Sequence, residues 1–528
     1  MKGVIARVRQ PGGEMNPWAI AFTVMIATFM EVLDSTIVNV SLPHIAGNLS
    51  ASIEESTWVL TSYLVSNAIV LPLTGWLSAL FGRKRLYMTC VVVFTLSSVL
   101  CGLAPNLGLL VFFRVLQGVG GGTMQPISQA ILVESFPKKK TGMAMAVFGM
   151  GVVLAPVIGP TLGGWITDNF SWRWIFLINI PVGILSLTLT SLLVADPPYL
   201  RRRQPGQGLR IDYIGLGLIS LGLGFLQVTL DKGQQEDWFG SRFIVWTTAL
   251  AVAGLIGAVI WELRHDDPMV DLRLLRDRNF SIATLSMFML GIVLYGSTVL
   301  MPIMLQTLMG YPAMLSGLVL SPGGIAVVFL MPLVGTLVQR FEPRWLVVFG
   351  LVVVSFSLLH MARFNLTIDF QTAMWARVYQ SVGMAFLFVP INTAAFHFIR
   401  KEKTNNATGI INLARNIGGS FGIAMVTTLL ARRMQFHHNV LVGHLTPLDE
   451  RYQAAVRGAA QMLVTRGASG FDAGRQAQGL LYGVLMREST MLAFIDAFWL
   501  LGVLFLMLVP VMFLMKRIRP GRPSIAAH

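Results

Sequence analysis

Apolar runs of roughly 18 to 25 residues recur along the whole chain, and each is long enough at about 1.5 Å per residue to cross a hydrocarbon layer of about 30 Å. Read as helices, they predict fourteen spans: 18–41, 58–81, 86–104, 109–133, 144–166, 175–194, 213–230, 243–263, 282–308, 315–338, 345–361, 373–398, 407–430 and 491–515. The first run follows Lys2, Arg7 and Arg9 but is too long and too acidic for a signal-peptide core, so it is expected to remain as a span. The expected fold is an all-α polytopic membrane bundle with no soluble domain between its helices.

Basic residues occupy alternate connections. Arg83, Lys84 and Arg85 fall on one side, as do Lys138, Lys139 and Lys140, then Arg201, Arg202, Arg203 and Arg210. Arg264, Arg273, Arg276 and Arg278 follow on the same side, then Arg340 and Arg344, then Arg400, Lys401 and Lys403, and the tail Lys516, Arg517, Arg519 and Arg522. The opposite short connections are nearly free of Lys and Arg. This asymmetry makes the basic side cytoplasmic, and an even number of spans puts both termini there. The chain of 528 residues is 54% hydrophobic and 12% charged, more apolar surface than one soluble core buries. Its net charge of +15 lies in these short connections, so it reads as a topology signal and not as a nucleic-acid surface.

One connection on the far side is long: 431–489, polar, with several Arg, Gln and Ala and some helical periodicity. Either it is a solvated hairpin without a partner or it is a docking surface for an envelope protein. The two cysteines, Cys90 and Cys101, share the third run about 16 Å apart, too far to bridge each other, so they do not report a redox compartment.

An internal repeat organises the series. The fourth run holds Arg114-Val115-Leu116-Gln117-Gly118-Val119-Gly120 and the twelfth holds Arg377-Val378-Tyr379-Gln380-Ser381-Val382-Gly383. Pro72, Leu73, Gly75, Leu77 and Phe81 in the second are echoed by Pro332, Leu333, Gly335, Leu337 and Phe341 in the tenth. Both echoes skip eight spans, which implies two six-helix halves flanking an inserted pair. The expected division is a cytoplasmic N-terminus 1–17, a bundle 18–195, the pair with its linkers 196–281, a bundle 282–515 and a tail 516–528.

Several of these residues carry a resemblance. Leu33-Asp34-Ser35-Thr36-Ile37-Val38-Asn39-Val40 closes the first span, Arg114 to Gly120 lies in the fourth, and Trp172-Arg173-Trp174-Ile175-Phe176 enters the sixth. In the fifth, Gly151, Pro156, Gly159, Pro160, Gly163 and Gly164 look like the antiporter motif of exporters. Together they resemble the EmrB/QacA subfamily of fourteen-helix drug:proton antiporters in the major facilitator superfamily. The connection after span two departs from the family pattern: Gly75-Trp76-Leu77-Ser78-Ala79 lacks the usual aspartate, while Arg83-Lys84-Arg85 keeps the basic half. The resemblance implies a major facilitator fold of 6+2+6 helices and efflux of apolar or cationic drugs by alternating access. It also implies drive from the proton gradient without a cofactor and residence in the inner membrane. Its partners would be a periplasmic EmrA-like adaptor and an outer-membrane channel.

Charges inside spans are candidate proton sites. Glu31 and Asp34 share one face of span one at i, i+3. Arg114 is the expected counter-ion of Asp34, since both lie about 12 to 14 Å below the outer ends of their spans. This trio is either the proton-coupling site or, for Asp34 with Arg114, an ion pair that only fixes packing. Glu31 is either a second proton carrier or a variant facing water. Arg415 is a second deep charge, functional or else snorkelling or bound to backbone near the inner interface, and Arg377 is a third. His360 reads as an interfacial residue. Gln117, Gln306 and Asn392 either orient a ligand or bond a neighbouring helix. Twenty-eight methionines and thirty-two phenylalanines suit a deformable apolar cavity, although most must face lipid or core. No P-loop and no metal-ligand or catalytic spacing is found, which argues against ATP hydrolysis and enzymatic chemistry. The remaining alternatives are a dedicated exporter of one metabolite and a non-transporting receptor or scaffold.

Overall fold

The structure, a computed structural model, describes residues 15–137, 140–196, 212–266, 268–443, 445–446 and 448–517. The N-terminal 1–14, Lys138, Lys139, Arg201, Arg202, Arg203, Arg210, Arg519 and Arg522 lie outside the described residues. Among those described, fourteen long helices run in series, and thirteen of them are long and apolar enough to cross a membrane. The remaining one, span thirteen at Thr404–Val442, is less apolar because Asn405, Asn412, Arg415 and Asn416 sit in it, and the fold uses these as contacts between helices.

Local chemistry explains the breaks and starts. Span one, Pro17–Asn48, begins with proline in its first turn and Asn16 capping the Trp18 N–H. Span two, Trp58–Phe81, tightens to a 3₁₀ turn at Leu71–Leu73, where Pro72 offers no N–H to the helix. Span four, Leu107–Ser135, is capped by Asn106 and is interrupted by a turn at Thr123. Span five, Thr141–Asn169, continues through Pro156 and Pro160.

The helix pairings repeat eight spans on. Span one packs on span five as span nine, Arg278–Thr307, packs on span thirteen. Span two meets span four as span ten, Ala313–Arg340, meets span twelve, Phe370–Phe396. Span three, Arg83–Leu103, lies against spans four and six as span eleven, Pro343–Met361, lies against spans twelve and fourteen. Spans seven and eight, Tyr213–Lys232 and Arg242–Arg264, pack on each other. Span seven also straddles the two halves: Gly224 rests beside Ile69 of span two, and Gln227 accepts from Ser420 of span thirteen at 2.9 Å.

The halves are sealed together at the basic end, and the echoed glycines do the sealing. Gly75 lies against Asn406, where a Cβ would overlap the amide, and Gly335 lies against Gly142, whose Cβ would fall 2.8 Å from the Gly335 carbonyl. Asn405 donates to Ser78 across the same seam at 2.8 Å.

The far-side connection differs from its expected form. Span thirteen does not end near residue 430 but continues as one helix to Val442, and the last span is part of the helix Gly470–Met507, which begins well before the apolar run at 491. At about 1.5 Å per residue a 39-residue helix is nearly twice as long as the hydrocarbon layer is thick. The polar residues that end the apolar run are good helix formers, so hydropathy stops there and the helix does not. A third helix, Glu450–Thr465, packs on the extension of span fourteen and buries none of its own residues. Arg433 and His437 both bind Asp496 at the foot of this helical stalk, at 2.5 and 2.7 Å.

Candidate functional site

Asp34 is fully enclosed at the centre of the first bundle. Its Oδ2 accepts from Arg114 at 2.6 Å; its Oδ1 accepts from Gln117 at 3.0 Å and from Asn179 of span six at 2.8 Å. Arg114 also donates to the Gln117 carbonyl at 2.8 Å and to the Val59 carbonyl at 3.0 Å, and its guanidinium stands 4.2 Å from the centre of the Tyr63 ring. The matched depth expected for Asp34 and Arg114 therefore becomes an ion pair in which each carboxylate oxygen is satisfied.

Glu31 does not face water: it is 3% exposed, and its oxygens accept from Tyr63 Oη at 2.9 Å, Asn67 Nδ2 at 3.2 Å and Gln125 Nε2 at 2.5 Å. Tyr63 thus touches both acids' surroundings, with its ring under Arg114 and its hydroxyl on Glu31. Gln125 carries the network onward, because its carbonyl accepts from Arg415 of span thirteen. Arg415 is buried, 1% exposed, and meets the first bundle through Gln125, its one hydrogen-bond partner among the described residues. One turn further along span four, Gln129 donates to Asn392 at 2.6 Å and accepts from Asn412 at 2.5 Å. A buried polar series therefore runs from Asn179 and Asp34 to Arg114, passes from its guanidinium to the Tyr63 ring, and continues by hydrogen bonds through the Tyr63 hydroxyl, Glu31 and Gln125 to Arg415 in the opposite half.

Two of the three expected ligand residues are engaged by these contacts. Gln117 is taken up by Asp34 and Arg114, Asn392 by Gln129 across the halves, and Gln306 lies exposed in the last turns of span nine. His360 is half-buried with its ring against Phe364. Arg377 is buried in the second bundle, bonded to Ser297, Thr298 and Gln380. Arg83 forms a two-pronged pair with Glu134 at 2.7 and 2.9 Å, tying the start of span three to the end of span four where the family's aspartate is absent.

The motif of span five packs on span one, the helix that carries Asp34, at Met25, Thr36 and Ile37. A Cβ on Gly159 would fall 2.2 Å from Thr36 Oγ1, one on Gly163 would fall 2.8 Å from the Ile37 carbonyl, and one on Gly151 would fall 2.3 Å from Met25. Gly164 has no such need; its nearest neighbour would be 3.7 Å away. Pro156 and Pro160 stand within the same helix, whose other face meets span ten at Gly317 and Gly324. Span five is therefore a wedge between the helix that bears both acids and the opposite half.

Tyr63, Asn67, Gln125, Gln129, Asn179 and Asn412 escaped the sequence reading. The available signal was polarity inside a span, which many unrelated positions share. Gln125 and Gln129 at i, i+4 were the most legible pair, since that spacing lines one face.

Comparison with known proteins sets this geometry in context. Sequences of the Major Facilitator Superfamily match residues 24–423. The multidrug export protein EmrB of Escherichia coli strain K12 is 35% identical over 494 residues, 93% of this chain and 94% of that one. The fatty acid resistance protein FarB of Neisseria gonorrhoeae is 37% identical over 94% of this chain and 96% of that one. The proton:xylose symporter XylE superposes with a TM-score of 0.60 over 96% of this chain and 97% of that one, at 13% identity, which is a likeness of fold.

Proposed function

This chain belongs to the major facilitator superfamily, and on that premise we propose that it exports amphiphilic, drug-like compounds in exchange for protons. The observation that carries the reading is the buried path from Asp34 to Arg415, because it joins two ionisable carboxylates to a contact between the halves. Alternating access needs such a link: a proton can move the halves only by interacting differently with their two arrangements. Gln125 donates to Glu31 and accepts from Arg415, so protonating Glu31 weakens the bond that holds Gln125 in the orientation Arg415 requires. Asp34 exchanges its proton for the drug, with Arg114 holding the carboxylate in place once the proton has left. Deprotonation at the cytoplasmic face favours drug binding, and protonation from outside favours release.

The kinship with a multidrug export protein supports a broad substrate range. The equally extensive kinship with a fatty acid resistance protein supports a second reading, an exporter dedicated to one kind of amphiphile. We place the chain in the inner membrane of a two-membrane envelope, with a periplasmic adaptor seated on the helical stalk and an outer-membrane channel beyond it. The exposed helix Glu450–Thr465 supports that docking.

The direct test uses Asp34→Asn in proteoliposomes. Dye export driven by an imposed pH gradient is expected to be lost while the protein stays folded. Export equal to wild type would remove Asp34 from the coupling step.

A further inference from the structure

The second bundle contains a copy of the Asp34 site from which the acid is missing. Arg377 donates to Gln380 at 2.6 Å as Arg114 donates to Gln117 at 2.8 Å. Ser297 lies 80 residues before Arg377 and 83 before Gln380, the same separations that Asp34 keeps from Arg114 and Gln117. It receives the same two bonds, at 3.0 Å from Arg377 and 2.9 Å from Gln380. A hydroxyl thus stands where the first bundle has a carboxylate.

The surroundings differ in two further ways. Ser381 rests against Gly323 as Gly118 rests against Tyr63, so the position of the aromatic lid over Arg114 is a glycine in the second bundle. Each arginine has one buried nitrogen without an acceptor, but it is Nη2 in Arg114, whose Nε–H goes to the Val59 carbonyl, and Nε in Arg377. Among the described residues, Arg377 is bonded only by neutral oxygens, those of Ser297, Thr298 and Gln380, although it is 2% exposed. Neutral acceptors satisfy hydrogen bonds but leave the buried charge uncompensated.

We propose that Arg377, Gln380, Ser297 and Thr298 form a receptor for the carboxylate of an exported amphiphile, whose head group takes the place that Asp34 fills in the first bundle. A planar carboxylate matches the fork of a guanidinium. The free Nε–H supplies one donor, Gln380 Nε2 a second, and the two hydroxyls turn to donate once Arg377 has a better acceptor. The Asp34 site is less suited to this, because its own carboxylate already supplies the charge that pairs with Arg114 through Nη1. The assignment deepens the export reading by naming a substrate class and depends on that reading for the direction of transport, not for binding.

The test measures binding of pyrenebutyrate to the purified full-length protein by fluorescence, with pyrenebutyltrimethylammonium as the matched cation. Arg377→Gln is expected to weaken pyrenebutyrate about tenfold or more and leave the cation unchanged. Ser297→Asp, which supplies an internal carboxylate and keeps Arg377 paired, is expected to do the same without the folding risk of removing the arginine. Wild-type affinity in a folded Ser297→Asp protein would overturn the proposal. Complete displacement of pyrenebutyrate by chloride would assign the site to an inorganic anion and overturn it equally. If the wild type binds pyrenebutyrate through Arg377 yet moves no compound under a pH gradient, the export reading falls and the carboxylate site stands.

Discussion

Replacing Glu31 by glutamine changes no volume and removes one acceptor from a chain of polarised amides. In the wild type, Gln125 turns its nitrogen to Glu31 and its oxygen to Arg415. A glutamine at 31 brings a nitrogen of its own. Facing Gln125, it sets donor against donor or forces Gln125 to turn its nitrogen on Arg415. Facing the other way, it meets the Asn67 donor, which Asn67 can reverse only by turning from Asn416. One opposed donor in a buried cluster costs about 1–3 kcal/mol. Charged to the state in which the halves touch through Gln125 and Arg415, that shifts their equilibrium about 5- to 150-fold toward opening at the basic end. Spin labels at Lys140→Cys and Arg340→Cys flank the Gly142 and Gly335 seam and are exposed, while the native Cys90 and Cys101 are buried and stay unlabelled. Double electron–electron resonance is expected to show the long-distance population growing in Glu31→Gln. Acidification should move the wild type in the same direction and leave the variant still. A distance distribution superimposable on wild type would refute the idea that Glu31 holds this end closed.

The span-five wedge makes a paired prediction. Gly163→Ala places a Cβ against the Ile37 carbonyl and is expected to lower thermal stability by about 1–3 kcal/mol with loss of export, whereas Gly164→Ala meets nothing closer than 3.7 Å and should stay within about 0.5 kcal/mol of wild type. Melting of the two purified proteins decides it, and equal stability would show that the wedge has slack. For the stalk, replacing 443–470 with a short flexible linker should preserve dye export in vesicles and abolish resistance in cells; unchanged resistance would remove the adaptor from the scheme.

Most of the architecture was legible in the pattern of hydrophobic positions, because a bilayer demands helices of a given length and the charge rule orients them. The repeat was legible too, since Arg114 with Gln117 and Arg377 with Gln380 are separated by the same spacing and make the same bond. So was the pairing of Asp34 with Arg114, which follows from depth alone. Hydropathy could not show that spans thirteen and fourteen continue as a stalk, because leaving the membrane ends the apolar run without ending the helix. Nor could it separate an arginine reaching for the interface from one locked on Gln125, as Arg415 is, since both look alike in one dimension. Whether Glu31 faces water or a ring of donors depends on Tyr63, Asn67 and Gln125, which lie 32, 36 and 94 residues away along the chain. Only the packed bundle brings those neutral side chains to one point, and only there does the serine facing Arg377 stand out as the place where an acid is missing.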